Sequence, residues 1–172
     1  MTGDLLLTGV APTPPSTDER YTPLWVFRAL GETFDLDPAS PVNGGDCVPA
    51  ARKLTVVDDG LASEWGGFVW LNPPFSNATP WARRFIAHAD GLWLGPVANA
   101  AWFNELANVA DRLWLMRDFA FTHPTHAGKR SSMPLAMAAM GERGSAAIDR
   151  AGRTTGPTTG VVVARVGQEV TA

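Results

Sequence analysis

Residues 72–75 read Asn-Pro-Pro-Phe and follow directly on the apolar run "FVWL" at 68–71. Such a run, rich in β-formers, reads as a buried strand. The two prolines end its ladder, since neither carries a backbone N–H and each biases the residue before it towards extended conformations. The Asn72 side-chain oxygen is then an acceptor that cannot take up a proton under physiological conditions. The Pro73 carbonyl, released from the ladder, is a second acceptor, and Phe75 offers a π-face. Two acceptors plus a stacking surface suit a planar ligand bearing –NH2. The lone pair of a nucleobase or amide amine is conjugated, and two acceptors holding both N–H bonds favour a pyramidal nitrogen aimed at an electrophile. Preorganisation of this kind is worth ~3–4 kcal/mol per well-placed group, and stacking adds ~1–3 kcal/mol per base. The chemistry expected is transfer of a group to an exocyclic nitrogen. The bland counterpart is a proline-stiffened loop in which Asn72 caps a turn.

Ligands of open α/β sheets bind at strand ends, so the surrounding elements matter. Residues 1–20, which include "APTPPSTDER", read as a flexible arm, and residues 21–172 as one domain. In "YTPLWVFRALGETF" (21–34), Thr22 is the expected N-cap and Pro23 the first helical residue, with Trp25, Val26, Ala29 and Leu30 on one face. "FDLDPAS" (34–40) reads as a short strand broken at Pro38, "PVNGGDCVPAARKL" as a turn-rich connection, and "TVVDDGL" (55–61) as a strand running into a turn. Then follow a strand ending at Asn72, a helix over "TPWARRFIAHA" (79–89), the strand "GLWLGPVAN" and the helix "AAWFNELANVAD". "RLWLMRDFAFTHP" holds one or two strands, "THAGKRSSMP" is a polar loop, "LAMAAMG" is a strand or helix, and "TTGVVVARV" is a final strand. Strands alternating with helices predict an α/β sandwich with a largely parallel sheet.

Composition narrows the class. At 172 residues, 45% hydrophobic and 18% charged, the chain reads as one ordinary globular domain rather than a disordered segment. The single cysteine, Cys47, excludes an internal disulfide and fits a reducing cytoplasm; it reads as a small hydrophobe rather than a nucleophile. No apolar run approaches the ~20 residues of a membrane helix, and "LLLTGVAP" (5–12) follows Asp4 without a basic leader, unlike a signal peptide. The net charge of −3 divides into −6 for residues 1–80 (4 Lys+Arg, 10 Asp+Glu) and +3 for residues 81–172 (10 and 7). A polyanion such as DNA is therefore expected at the C-terminal half, with plain charge scatter as the alternative.

The Asn-Pro-Pro-Phe end does not stand alone. Thr22-Pro23, "DLDPAS" (35–40), "DGLASEWGGFVWLNPPFSNATPW" (59–81), "GPVANAAWF" (95–103) and "MRDFAF" (116–121) occur in order. In that combination the chain resembles the phage-type DNA N-6-adenine methyltransferase family, whose members use S-adenosylmethionine (SAM), over about residues 21–141. The resemblance implies a Rossmann-like methyltransferase fold, double-stranded DNA as partner, and a phage, prophage or restriction-modification setting. It implies Asn72, Pro73, Pro74 and Phe75 as the catalytic motif, Tyr21, Thr22 and Pro23 along the methionine end of SAM, and Asp37, Pro38 and Ala39 beneath the cofactor. Asp59 matches the acidic position near the adenosine, with Asp58 a close rival. One departure is plain. A Gly-rich GxGxG loop is absent, "DPASPVNGG" stands in its place, and only about 35 residues separate Asp37 from Asn72. The cofactor half is therefore expected to be abbreviated.

Acidic strand ends suit a ribose diol and a sulfonium, although Asp35 and Asp37 could equally cap loops. For DNA, Arg83 and Arg84 follow the motif, and Lys129, Arg130, Ser131 and Ser132 form a loop of donors suited to phosphates; a solvated face is the alternative for the arginine pair. Trp81 and Trp102 are second-rank lining for a base pocket, since buried aromatics are usually core. His123 and His126 lack further ligands nearby, and no metal is expected. Two other readings remain: transfer to another amine (an RNA base or a glutamine amide), and a DNA-binding remnant without activity.

Overall fold

Side-chain alternation along short strands builds two cores, one on each face of a single sheet. The computed structural model describes residues 20–42, 47–122, 131–153 and 159–165. The strands are β1 (Phe34–Asp37), β2 (Ala50–Lys53), β3 (Val69–Leu71), β4 (Gly91–Pro96), β5 (Arg112–Arg117), β6 (Leu135–Met140) and β7 (Thr159–Ala164). The helices are α1 (Leu24–Leu30), α2 (Ala78–His88), α3 (Ala101–Val109) and α4 (Glu142–Gly152), with a short 3₁₀ turn at Phe75–Asn77. In β3, Trp70 points into the core under α1 and α4, where it meets Phe27, Leu30 and Ile148. Its neighbours Val69 and Leu71 point the other way, towards Trp81, Phe85 and Leu106 of α2 and α3. β4 repeats the pattern, with Leu92 and Leu94 on the first side and Trp93 on the second. All six β4 residues are buried, as expected for a strand covered on both faces.

The sheet order is β2-β1-β3-β4-β6-β5-β7. β2, β1, β3 and β4 run parallel, whereas β6 is antiparallel to β4 and β5, and β7 to β5. The largely parallel sheet read from the sequence thus holds for the pairings of the first four strands, while β5 runs their way between two antiparallel neighbours. Together these elements make a Rossmann-like α/β sandwich.

Local chemistry accounts for the other departures. Thr22 does not cap α1: Pro23 is the cap residue, at φ −70° and ψ 148°, so the helix begins one residue late. Gly31 ends it in the left-handed region (φ 62°), donating its N–H to the Phe27 carbonyl. The strand expected at 55–61 lies earlier, at Ala50–Lys53, inside the stretch read as a connection. Val56 and Val57 are 82% and 81% exposed, because Asp58 folds this stretch into a turn. The stretch from Leu135 is a strand, and α4 is a helix that no sequence signal announced. Cys47 is exposed rather than packed as a small hydrophobe.

Candidate functional site

β1 and β3 are neighbours, yet the chain leaves β1 for β2 on one side and β3 for β4 on the other. That reversal is a topological switch point, and the crevice beyond its carboxyl ends is where α/β sheets take ligands. Asp37-Pro38-Ala39 and Asn72-Pro73-Pro74-Phe75 are the two sides of this crevice.

On the β3 side the Asn72 amide is held from behind. Its Nδ2 donates to the Arg20 carbonyl at 2.8 Å and lies 3.4 Å from the Thr22 hydroxyl. A carbonyl can only accept, so this contact fixes which end of the amide is the nitrogen and leaves the oxygen on the other side. Oδ1 is buried and has no hydrogen-bond partner among the described residues. Buried polar atoms are nearly always satisfied, so an unused acceptor at a strand end marks the place of a donor. The anchoring segment is itself pinned: Tyr21 bridges Thr122, whose N–H donates to the Tyr21 carbonyl at 2.9 Å. Tyr21, Thr22 and Pro23 are all buried. Phe75 is half-buried and edge-on to Phe121, at 5.9 Å and 70°.

On the β1 side Asp37 is 3% exposed, and its Oδ1 accepts the Ala39 N–H at 3.1 Å. Asp35 serves the sheet instead, accepting the Phe68 N–H at 2.7 Å. Leu54 donates to the Asp37 carbonyl and Ser40 to the Leu54 carbonyl, each at 2.8 Å, which brings residues 55–65 over the strand end. There Asp58 Oδ2 accepts both the N–H and the hydroxyl of Thr55, at 2.8 and 2.9 Å. The Thr55 N–H first, then its hydroxyl, holds the Asp58 carboxyl below its usual range. Asp59 is exposed in the left-handed region (φ 49°), with Oδ1 3.2 Å from the Ala62 N–H. Gly60 lies so close to β1 that a Cβ there would stand 1.9 Å from the Pro38 carbonyl and 3.0 Å from the Trp81 ring. Asp59 is thus placed beside the Asp37-Pro38-Ala39 turn.

Residues 12–131, well over half of the chain, match the family model described as DNA N-6-adenine-methyltransferase (Dam). The chain belongs to this family. No curated protein and no solved structure matches it. The match takes in the segment from Arg20 to Pro23, β1 to β5 and both sides of the crevice, while β6, α4 and β7 lie beyond it. Membership in the Dam family makes DNA adenine methylation the general activity, and DNA the substrate.

The residues considered for a Dam enzyme's grip on DNA fall in different places. Arg83 is exposed, with Nε 3.9 Å from Glu105 Oε2. Arg84 turns inward: it donates to the Ser63 carbonyl and lies 5.0 Å over the Trp65 ring, bracing the loop above β1. Ser131 is half-buried, and its hydroxyl donates to the Met133 carbonyl at 2.8 Å. Lys129 and Arg130, like His123 and His126, lie outside the described residues. Trp81 and Trp102 are core residues, each 8% exposed under α2 and α3. An apolar cavity of about 570 Å³ lies at the same sheet edge, lined by Val97, Leu115, Met116, Arg117, Pro134, Gly160 and Val161. Its side chains offer an amine no acceptor, so the Asn72 end is the stronger candidate for the reacting base. Among the described residues no helix is long and apolar enough to cross a membrane. Sequence reasoning missed Arg20, whose guanidinium lies 4.4 Å over the Phe75 ring; only its place before Tyr21-Thr22-Pro23 could have drawn notice.

Proposed function

We propose that this chain transfers the methyl group of SAM to the N6 amine of an adenine flipped out of double-stranded DNA, with Asn72-Pro73-Pro74-Phe75 as the amine pocket. The observation that carries the reading is the Asn72 amide, tied through Nδ2 to Arg20, with Oδ1 buried at the switch point and without a partner among the described residues. Asn72 Oδ1 accepts one N–H of the amine and the Pro73 carbonyl the other, leaving the nitrogen lone pair directed away from both. Phe75 takes the base plane. Neither acceptor binds a proton at neutral pH, so the proton displaced by the methyl group leaves to water.

The β1 end fits the cofactor. A buried carboxylate, Asp37, stands at the strand end with the Asp59 turn beside it, acceptors suited to the hydroxyls of a ribose diol and to a cation. Asp37 and Asp59 would hold the cofactor there, with Tyr21, Thr22 and Pro23 along its methionine end; bound SAM supplies an electrophilic methyl group on a sulfonium. Arg83, Lys129 and Arg130 are the basic groups assigned to phosphates. Mapping of N6-methyladenine in a methylation-null host expressing the chain is the test, paired with methyl incorporation into DNA, RNA and protein by the purified enzyme. Label in RNA or protein but not DNA would overturn the acceptor, and no SAM binding by calorimetry would overturn the reaction.

A further inference from the structure

The Arg20 guanidinium lies 4.4 Å from the Phe75 ring centroid and 6.0 Å from that of Phe121. Its Nη1 is buried and has no hydrogen-bond partner among the described residues. The backbone carbonyl of the same residue orients the Asn72 amide. We propose that Arg20 gates the base seat: its guanidinium covers the face of Phe75 that the target adenine takes, and capture of the base exchanges one flat group for the other. This rests on the reading of Asn72–Phe75 as the amine pocket.

The exchange follows from packing and desolvation. Two planar groups cannot share one ring face, since each needs van der Waals contact with it. The stacked guanidinium gains cation–π attraction, but its Nη1 is held out of water without an acceptor among the described residues, which opposes that gain. The covered state is therefore closely balanced. An entering adenine stacks on Phe75 and brings an N–H donor to Asn72 Oδ1, while the displaced guanidinium regains water or a phosphate as acceptor. A thymine stacks equally well but presents a carbonyl at the corresponding edge. It leaves Asn72 Oδ1 unpaired and so displaces Arg20 less readily. The gate makes the seat selective before any methyl group moves.

Fluorescence anisotropy with labelled single-stranded oligo(dA) and an abasic strand of equal length reads the seat without the reaction. Wild type should bind oligo(dA) the tighter, and Arg20→Ala, which keeps the backbone carbonyl behind Asn72, should widen that preference about 2- to 30-fold. Arg20→Lys keeps the charge and loses the plane; it should widen the preference similarly, with thermal melts confirming that both variants fold. An unchanged or narrowed preference in both overturns the gate, a narrowed one because Arg20 would then hold the base rather than cover its seat. If neither wild type nor variant distinguishes oligo(dA) from the abasic strand, the pocket reading fails together with the gate.

Discussion

Replacing Asn72 separates the two duties proposed for the two ends of one amide. Asn72→Ala removes Oδ1, the unpartnered acceptor, and also Nδ2, which holds the Arg20 carbonyl at 2.8 Å. Loss of an acceptor that acts in the transition state costs roughly 100- to 1,000-fold in kcat. Loss of the anchor costs ~1–3 kcal/mol of stability if the Arg20 carbonyl is left unpaired. For a chain of this length, each kcal/mol lowers Tm by roughly 2–4 °C. Asn72→Asp is the control, because it keeps an acceptor oxygen and loses the donor. The alanine variant should therefore lose both rate and Tm, while the aspartate variant loses Tm by a similar amount and keeps much more of the rate. Single-turnover methyl transfer at saturating SAM and DNA, with calorimetric SAM affinity and a melting curve for each variant, measures the three quantities separately. Equal rate losses in the two variants would refute the acceptor role and leave Asn72 as an anchor only. A fall in SAM affinity matching the fall in rate would place the amide on the cofactor instead.

Four further outcomes are expected. Asp37→Ala should weaken SAM binding by one to two orders of magnitude, the scale of a charged hydrogen bond at ~1.5–3 kcal/mol; unchanged affinity in calorimetry of the folded variant moves the cofactor contact elsewhere. Gly60→Ala places a methyl group against the Pro38 carbonyl, so the loop must shift at a cost of ~1–3 kcal/mol, measured by urea unfolding. Arg84→Ala should lower stability, as its guanidinium braces Ser63 and Trp65. Arg83→Ala should leave stability nearly unchanged and reduce the salt dependence of DNA binding by about one unit of log–log slope.

The strand ahead of Asn72 was legible because burial on both faces leaves an uninterrupted apolar run, and β4 was legible for the same reason. β2 was not: "AARK" has a half-buried alanine and three exposed residues, because an edge strand needs little apolar surface. The β-branched Val56 and Val57 imitated a strand, but two hydrogen bonds to Asp58 decide that segment. α4 escaped notice because its buried face, Gly144, Ser145, Ala147, Ile148 and Ala151, carries a single large apolar residue, and the small ones around it give little hydrophobic signal. That smallness is what the packing requires: a Cβ on Gly144 would lie 2.9 Å from the Gly91 carbonyl. β6 was ambiguous because alanine and methionine favour helices; pairing with β4 and β5 on its two sides settles it. In the candidate site the linear motif was readable. The anchor of Asn72 on a residue 52 positions away was not, since it depends on the segment before α1 returning across the sheet.

β1 and β2 form a narrow wing on the sheet. β2 is four residues long with three of them exposed, and β1 meets β3 at the register pair Leu36↔Val69, reinforced by Asp35 on Phe68. Phe34 and Leu36 fasten β1 into the two cores, so opening is easiest at β2, whose amide protons should exchange through local unfolding long before those of β4 and β6. A ligand held at Asp37, at the end of β1, would oppose that opening, and part of its intrinsic affinity would be consumed in doing so. Occupancy then returns as slowed exchange along Phe34–Asp37 and Ala50–Lys53, which makes the wing the region of the protein where ligand concentration is read most directly as order.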